Sequence, residues 1–322
     1  MLASDELYTQ FAKQPTRAAY AEAVIELGQE NQKVVVLDAD VSKSIGTIRF
    51  AEKFPERSFN FGIAEQNMMA AAAGMATCGL IPFASTYAVF ASLRALDMVR
   101  NSIHYPRLNV KIAASHSGIT PGPDGVTHQG QEDLSIMRAI ANATVVAPAD
   151  PVSAKLAVFE AAAYDGPVYL SFTRDPVPTL FERDYPFEIG KSVLLRHGTD
   201  ATIFANRDLV VQALVAAEKL AAKGTSVRVI DCHTLKPFDS DAVLKAAAET
   251  GAIVTAENNV CYGGLGSAVA EVLVANHPVP MQQIGVRDTF AESAPYLDLI
   301  EKYGLTAPHI AAAVEAVIGK KP

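Results

Sequence analysis

The chain has 322 residues, half of them hydrophobic and none of them tryptophan, which is enough for two domains that each bury a core. A formal charge of −8 argues against nucleic acid or an anionic membrane as the main partner, and no apolar run reaches the roughly 18 residues of a membrane span. Cys78, Cys232 and Cys261 are too few and too scattered for a disulfide framework or a CxxC metal site, and the opening residues lack a basic-then-apolar leader, so a reducing cytoplasm is the expected compartment.

Thr16 is placed to cap a helix through "RAAYAEAVIELGQ", and "KVVVLDAD" then reads as a short buried strand. "FNFGIAEQNMMAAAAGMATCG" gives a strand-like entry into an Ala- and Met-rich helix. The aromatic "IPFASTYAVF", a helix through Arg100 and the strand "LNVKIAAS" follow. After a polar loop come "ATVVAP", a helix opened by Asp150 and Pro151, and the strand "PVYLSF". Between Thr173 and about Lys191, prolines and mixed charges replace periodicity. Beyond them "ATIFA", "SVRVIDC" and "AIVTAEN" read as strands, with helices over 207–223, 239–250, 264–276 and 307–318. Strands alternating with helices predict an α/β fold of two domains, each a mostly parallel sheet flanked by helices. The expected division is 1–180, a linker over 181–192, and 193–322.

The polar loop, "SHSGITPGPDGVTHQGQEDL", leaves the end of a predicted strand, where open α/β sheets bind ligands. It carries His116, Asp124 and His128 among glycines that let the backbone turn sharply and approach a ligand closely. Glu65 opens the Ala-rich helix. It is either a first-turn acid serving the helix dipole or a partly buried carboxyl able to share a proton with a heterocycle. Phe83, Tyr87 and Phe90 lie close in sequence, and helical spacing would put Tyr87 and Phe90 on one face, as core or as a platform for a flat ring. Arg17, Arg94, Arg100 and Arg174 are surface charges unless they face the crevice, where a guanidinium can hold a phosphate. The glycines of "ENNVCYGGLGSAVAEVL" read as structural turn glycines, because neither GxGxxG nor a Walker lysine is present.

Taken in order, "FNFGIAEQNMMAAAAGMA", "PFASTYAVF", "HSGITPGPDGVTHQ", "VVAPAD" and "SFTRDP" resemble the pyrimidine-binding domain of transketolases. From about residue 190, "HTLKPFD" and "ENNVCYGGLGSAVAEVL" resemble their C-terminal domain. The resemblance implies a thiamine diphosphate enzyme that moves a two-carbon ketol unit between sugar phosphates. It makes Glu65 the partner of the aminopyrimidine, with Tyr87, Phe90 and Phe83 around that ring. Leu93 stands where the family often has a further aromatic. It also implies that His128 and His116 are catalytic, that Asp124 reads a sugar hydroxyl, and that Arg17, Ser44, His116 and Arg174 grip the terminal phosphate.

The family's Gly-Asp-Gly segment, which holds the diphosphate and its Mg2+ or Ca2+, is absent from this sequence. The expectation is therefore one subunit of a split transketolase with no metal ligands of its own. It would be inactive without an N-terminal subunit that binds the diphosphate, and would assemble as a heterotetramer around a two-fold pair of these chains. The β subunit of a 2-oxo-acid dehydrogenase shares this two-domain plan, but a 2-oxo acid has no need of the phosphate grip. A 1-deoxy-xylulose-phosphate synthase fragment and a non-catalytic paralogue are the remaining alternatives.

Overall fold

The computed structural model describes residues 11–321; the first ten residues of the expected first domain lie outside them. The strands are β1 (Lys13–Gln14), β2 (Val34–Asp38), β3 (Ser58–Asn60), β4 (Ile81–Tyr87), β5 (Lys111–Ser115), β6 (Thr144–Val146), β7 (Val168–Ser171), β8 (Val177–Pro178), β9 (Val193–Arg196), β10 (Ala201–Ala205), β11 (Val227–Asp231), β12 (Thr234–Lys236), β13 (Ile253–Val260) and β14 (Met281–Val286). The longer helices are α1 (Thr16–Glu30), α2 (Glu65–Thr77), α3 (Asp133–Ala139), α4 (Pro151–Ala163), α5 (Leu209–Ala221), α6 (Ser240–Thr250), α7 (Leu265–Asn276), α8 (Tyr296–Lys302) and α9 (Ala307–Ile318).

Two sheets result. The first has the order β12-β6-β7-β5-β4-β2-β3 and is parallel except at β12; the second has the order β14-β13-β10-β11-β9 and is parallel except at β9. Strands such as VVVLD and KIAAS are buried along their whole length, as both faces of a parallel sheet require. Three apolar cores follow from that alternation. One face of the first sheet packs Val34, Val36 and Phe83 against Tyr20 and Val24 of α1 and Val158 of α4. The second sheet packs Ile203 and Val229 against α5 and α9. Between the sheets a shared core joins Met68 and Met69 of α2 and Met137 of α3 to Phe204, Ile230, Leu265 and Val269.

Two expectations are corrected. Thr16 is the first residue inside α1 and not its cap: its Oγ1 accepts from Thr173 N at 2.7 Å, a contact across 157 residues. Tyr87 ends a strand and Phe90 begins a π-helical turn, so their proximity comes from the strand-to-helix bend and not from a shared helical face. β12 belongs to the second half in sequence yet pairs antiparallel with β6 in the first sheet. Asp150 does open α4, and its side chain accepts from Ser153 N in a reciprocal capping box. Its other oxygen accepts from Leu180 N and Phe181 N at 2.9 Å, while β8 pairs with β1, so the segment after Thr173 is strapped down at its start. Among the described residues no helix is long and apolar enough to cross a membrane.

Candidate active site

The carboxyl ends of β2, β4, β5 and β7 converge on one crevice, the place where a parallel sheet presents its loops. The polar loop after β5 closes on itself: Gly118 N donates to Gly130 O at 2.8 Å and Gly130 N to His116 O at 3.3 Å. Any side chain at Gly130 would drive a Cβ to 2.7 Å from that of Ala88, so glycine lets the returning limb lie against the end of β4. The closure brings both histidines to Tyr87. The His116 ring stacks on it at 3.7 Å and the His128 ring stands at 5.9 Å, with Phe90 5.6 Å from His128 and 5.5 Å from Tyr87.

His116 is 1% exposed and sits at φ 62°, a left-handed backbone that is uncommon outside glycine. Burial first, and then the neighbouring Arg17 and Arg174 guanidiniums, push its pKa down to about 2, so the imidazole is neutral. Arg17 approaches its Nε2 at 3.5 Å, and a guanidinium can only donate. Nε2 is therefore the acceptor, and Nδ1 carries the proton toward Ser115 Oγ at 2.9 Å. Arg17 also donates to Ser44 O at 2.6 Å and Ser44 Oγ at 3.1 Å. Across the crevice Arg174 Nε lies 3.4 Å from Asp124 and Nη1 lies 3.7 Å from Asp175. His128 turns Nδ1 toward Thr127 Oγ1 at 3.0 Å, which leaves Nε2 for the crevice.

Glu65 begins α2 and is 1% exposed. Its Oε1 accepts from Arg94 at 3.0 Å, while Oε2 is buried without a hydrogen-bond partner. The Arg94 guanidinium also lies 4.1 Å over the Phe90 ring. Arg94 therefore serves the carboxylate and the aromatic shelf, and Arg100 turns outward to Asn101. Phe83 does not join this shelf. It shares a strand face with Tyr87 but lies four residues earlier, about 13 Å back along β4, fully buried beside Tyr20. The "YGGLG" turn is structural: Glu257 accepts from Leu265 N and Gly266 N at 2.8 Å and so fills the start of α7. Leu93 is 50% exposed beside the shelf.

Reasoning from sequence missed the two residues that steady the site from behind, Ser115 and Asp175. Each stands next to a residue that was identified, and adjacency to a charged or catalytic candidate was the available signal. Among the described residues no group of three His, Cys, Asp or Glu side chains could hold a metal ion.

A carboxylate with one bare buried oxygen, an aromatic shelf beside it and two histidines facing two arginines thus gather at the strand ends of the first sheet. Residues 12–179 match the pyrimidine-binding domain of transketolase and residues 190–310 the transketolase C-terminal domain. The chain belongs to the transketolase family. It is 44% identical over 305 residues, 95% of each chain, to the 6-deoxy-6-sulfo-D-fructose transketolase subunit SqwH of Clostridium sp. strain MSTE9. It is 37% identical to a 1-deoxy-D-xylulose-5-phosphate synthase of Geobacter sulfurreducens, matching 94% of this chain and 48% of that one. A solved structure described as a split gene transketolase, inactive beta4 tetramer, superposes with TM-score 0.90 at 51% identity, covering 96% of this chain and 99% of that one.

Proposed function

We propose that this chain is the pyrimidine-binding and C-terminal subunit of a split transketolase, with residues 1–180 as the first domain, 181–192 as linker and 193–322 as the second. It would move a two-carbon ketol unit from a ketose phosphate to an aldose, in the cytoplasm, and only together with a subunit that carries the diphosphate and metal site. The observation that carries this reading is Glu65 Oε2, an unpartnered buried carboxylate oxygen beside the Phe90 shelf. It suits a ring nitrogen that carries or takes a proton. When bound, thiamine diphosphate would supply a carbon nucleophile able to cleave and re-form the bond next to a carbonyl. Glu65 would hold the aminopyrimidine at Oε2, with Phe90 and Tyr87 under or beside the ring.

Neutral His116 and part-buried His128 offer nitrogens that can donate to, or accept from, the oxygens of the reacting carbon. Arg17 and Arg174, with Ser44 Oγ, form a two-sided grip for an anionic tail, and Asp124 accepts from a sugar hydroxyl. Such a grip would also suit a sulfo-sugar like the one in the name of the Clostridium relative, because sulfonate and phosphate present similar oxygens. The apolar residues Ile63 and Leu93 are exposed at the Glu65 end, which favours a partner surface there.

The test is coupled transketolase activity with thiamine diphosphate, magnesium and a ketose phosphate, for this chain alone and mixed with a diphosphate-domain subunit. Activity only in the mixture is expected. Turnover that requires pyruvate as donor would assign the chain to deoxyxylulose-phosphate synthesis, binding of a lipoyl domain would assign it to a dehydrogenase, and a cofactor-loaded but silent mixture would make it a non-catalytic paralogue.

A further inference from the structure

The second sheet reverses its winding between β10 and β13. From β10 the chain runs to β11 on one side, then returns to β13 on the other. Such a reversal is where open α/β sheets take up ligands. Here the position is filled by the protein itself. Arg207 and Asp208 follow β10, Asn258 stands in β13, and all three are buried. Asn258 Oδ1 accepts from Ile119 N at 3.0 Å, and Nδ2 donates to Asp208 Oδ2 at 2.8 Å, an oxygen that also accepts the Tyr296 hydroxyl. The Asn258 carbonyl accepts from Arg207, which reaches Ser171 Oγ at 3.0 Å and Asp133 Oδ1 at 3.4 Å, tying β7 and α3 to the same knot. Gly118 lies so close that a Cβ there would stand 2.4 Å from both the carbonyl oxygen and Oδ1 of Asn258.

We propose that Asn258 is a positioning residue: it holds Gly118–Ile119 as the second domain's own ligand and thereby fixes His116 and His128 at the crevice. The link is short. Gly118 is two residues from His116, and its backbone bond to Gly130 ties in the limb that carries His128. The amide of Asn258 is used at both ends, so it cannot turn without losing a buried bond. The importance of this for turnover rests on the function proposed above, whereas the positioning itself does not.

The experiment uses the full chain with 15N-labelled histidine. Asn258→Leu keeps a similar volume and removes both side-chain bonds. The Gly118 and Ile119 amides are expected to exchange at least about tenfold faster. The His116 ring, held neutral by burial and the flanking guanidiniums, should become easier to protonate, its titration moving upward, with exchange in α9 unchanged. Thr255→Val, equally buried on β13, serves as the control and leaves both readings in place. Should Asn258→Leu fail to fold, Gly118→Ala attacks the same contact from the loop and is expected to give the same two shifts. A folded variant with an unaltered His116 titration and unaltered loop exchange overturns the proposal, as does an equal effect from Thr255→Val. In the assembled enzyme kcat for a ketose phosphate should fall about tenfold, because the displaced histidines face the reacting oxygens. A His116 shift with transfer untouched upholds the positioning and instead removes His116 from the substrate site.

Discussion

The two sheets follow one winding rule and end differently. The first opens its strand ends on Arg17, His116, Asp124 and Arg174, while the second closes the corresponding crevice with Arg207, Asp208 and Asn258. Two acids make the contrast concrete, for Glu65 at the start of α2 and Glu257 in β13, whose side chain meets the start of α7, are each 1% exposed. Glu257 has both oxygens bonded to backbone amides of α7, whereas Glu65 has one on Arg94 and one bare. A buried acid with every oxygen matched is scaffold. One left unmatched at an open crevice suits a group from outside the chain, the role proposed above for Glu65.

Glu65→Gln should break the contrast most severely, lowering transfer by the assembled enzyme at least about 100-fold while the thermal midpoint of the chain barely moves. A rate near wild type would return Glu65 to the scaffold. Arg174→Ala should raise KM for a phosphorylated ketose about 10- to 100-fold, and much less for a donor without a charged tail; steady-state kinetics with both donors would separate the two.

Glu257→Gln should reverse the pattern, since the amide turns a donor toward helix N–H groups that already donate. A loss of about 2 kcal/mol in urea unfolding is expected, with activity per folded molecule retained. The remaining effect concerns pH. Burial raises Asp231 to about 8 and Glu257 to about 7, both above their unfolded values. The native state thus keeps protons that the unfolded chain has released, and stability falls as pH rises from about 4 toward 8. Asp231→Asn should flatten that decline by up to about 1.4 kcal/mol per pH unit; an unchanged slope would show that Asp231 is ionised in the native protein.

Most of the scaffold was legible because its signals are local. Asp150-Pro151 announced α4, and the alternation of strand-like and helical runs announced two parallel sheets. The missed strands lack such signals: β14 begins "MQQ" on an edge, β9 emerges from the proline-bearing strap, and β12 has only Leu235 as an apolar residue. In the crevice, position in the chain brought forward Glu65, His116 and His128, but it could not say how they meet. The stacking of His116 on Tyr87 depends on a loop that closes through backbone atoms, which carry no sequence signature. Phe83 was misplaced for a related reason, since nearness in sequence says nothing of how far along a strand a ring lies.

The crossing of β12 bears on any attempt to dissect the protein. A cut in the strap would leave β6 with an open row of unpaired amides and carbonyls, a surface to which other strands add readily. It would also release Lys236, whose ammonium closes off the Arg138 and Ile140 carbonyls at the end of α3. Recombinant halves divided there should be sticky and poorly folded even though each contains a nearly whole sheet. Shuffling one half between relatives would succeed only if the incoming second half brings a compatible edge strand with it.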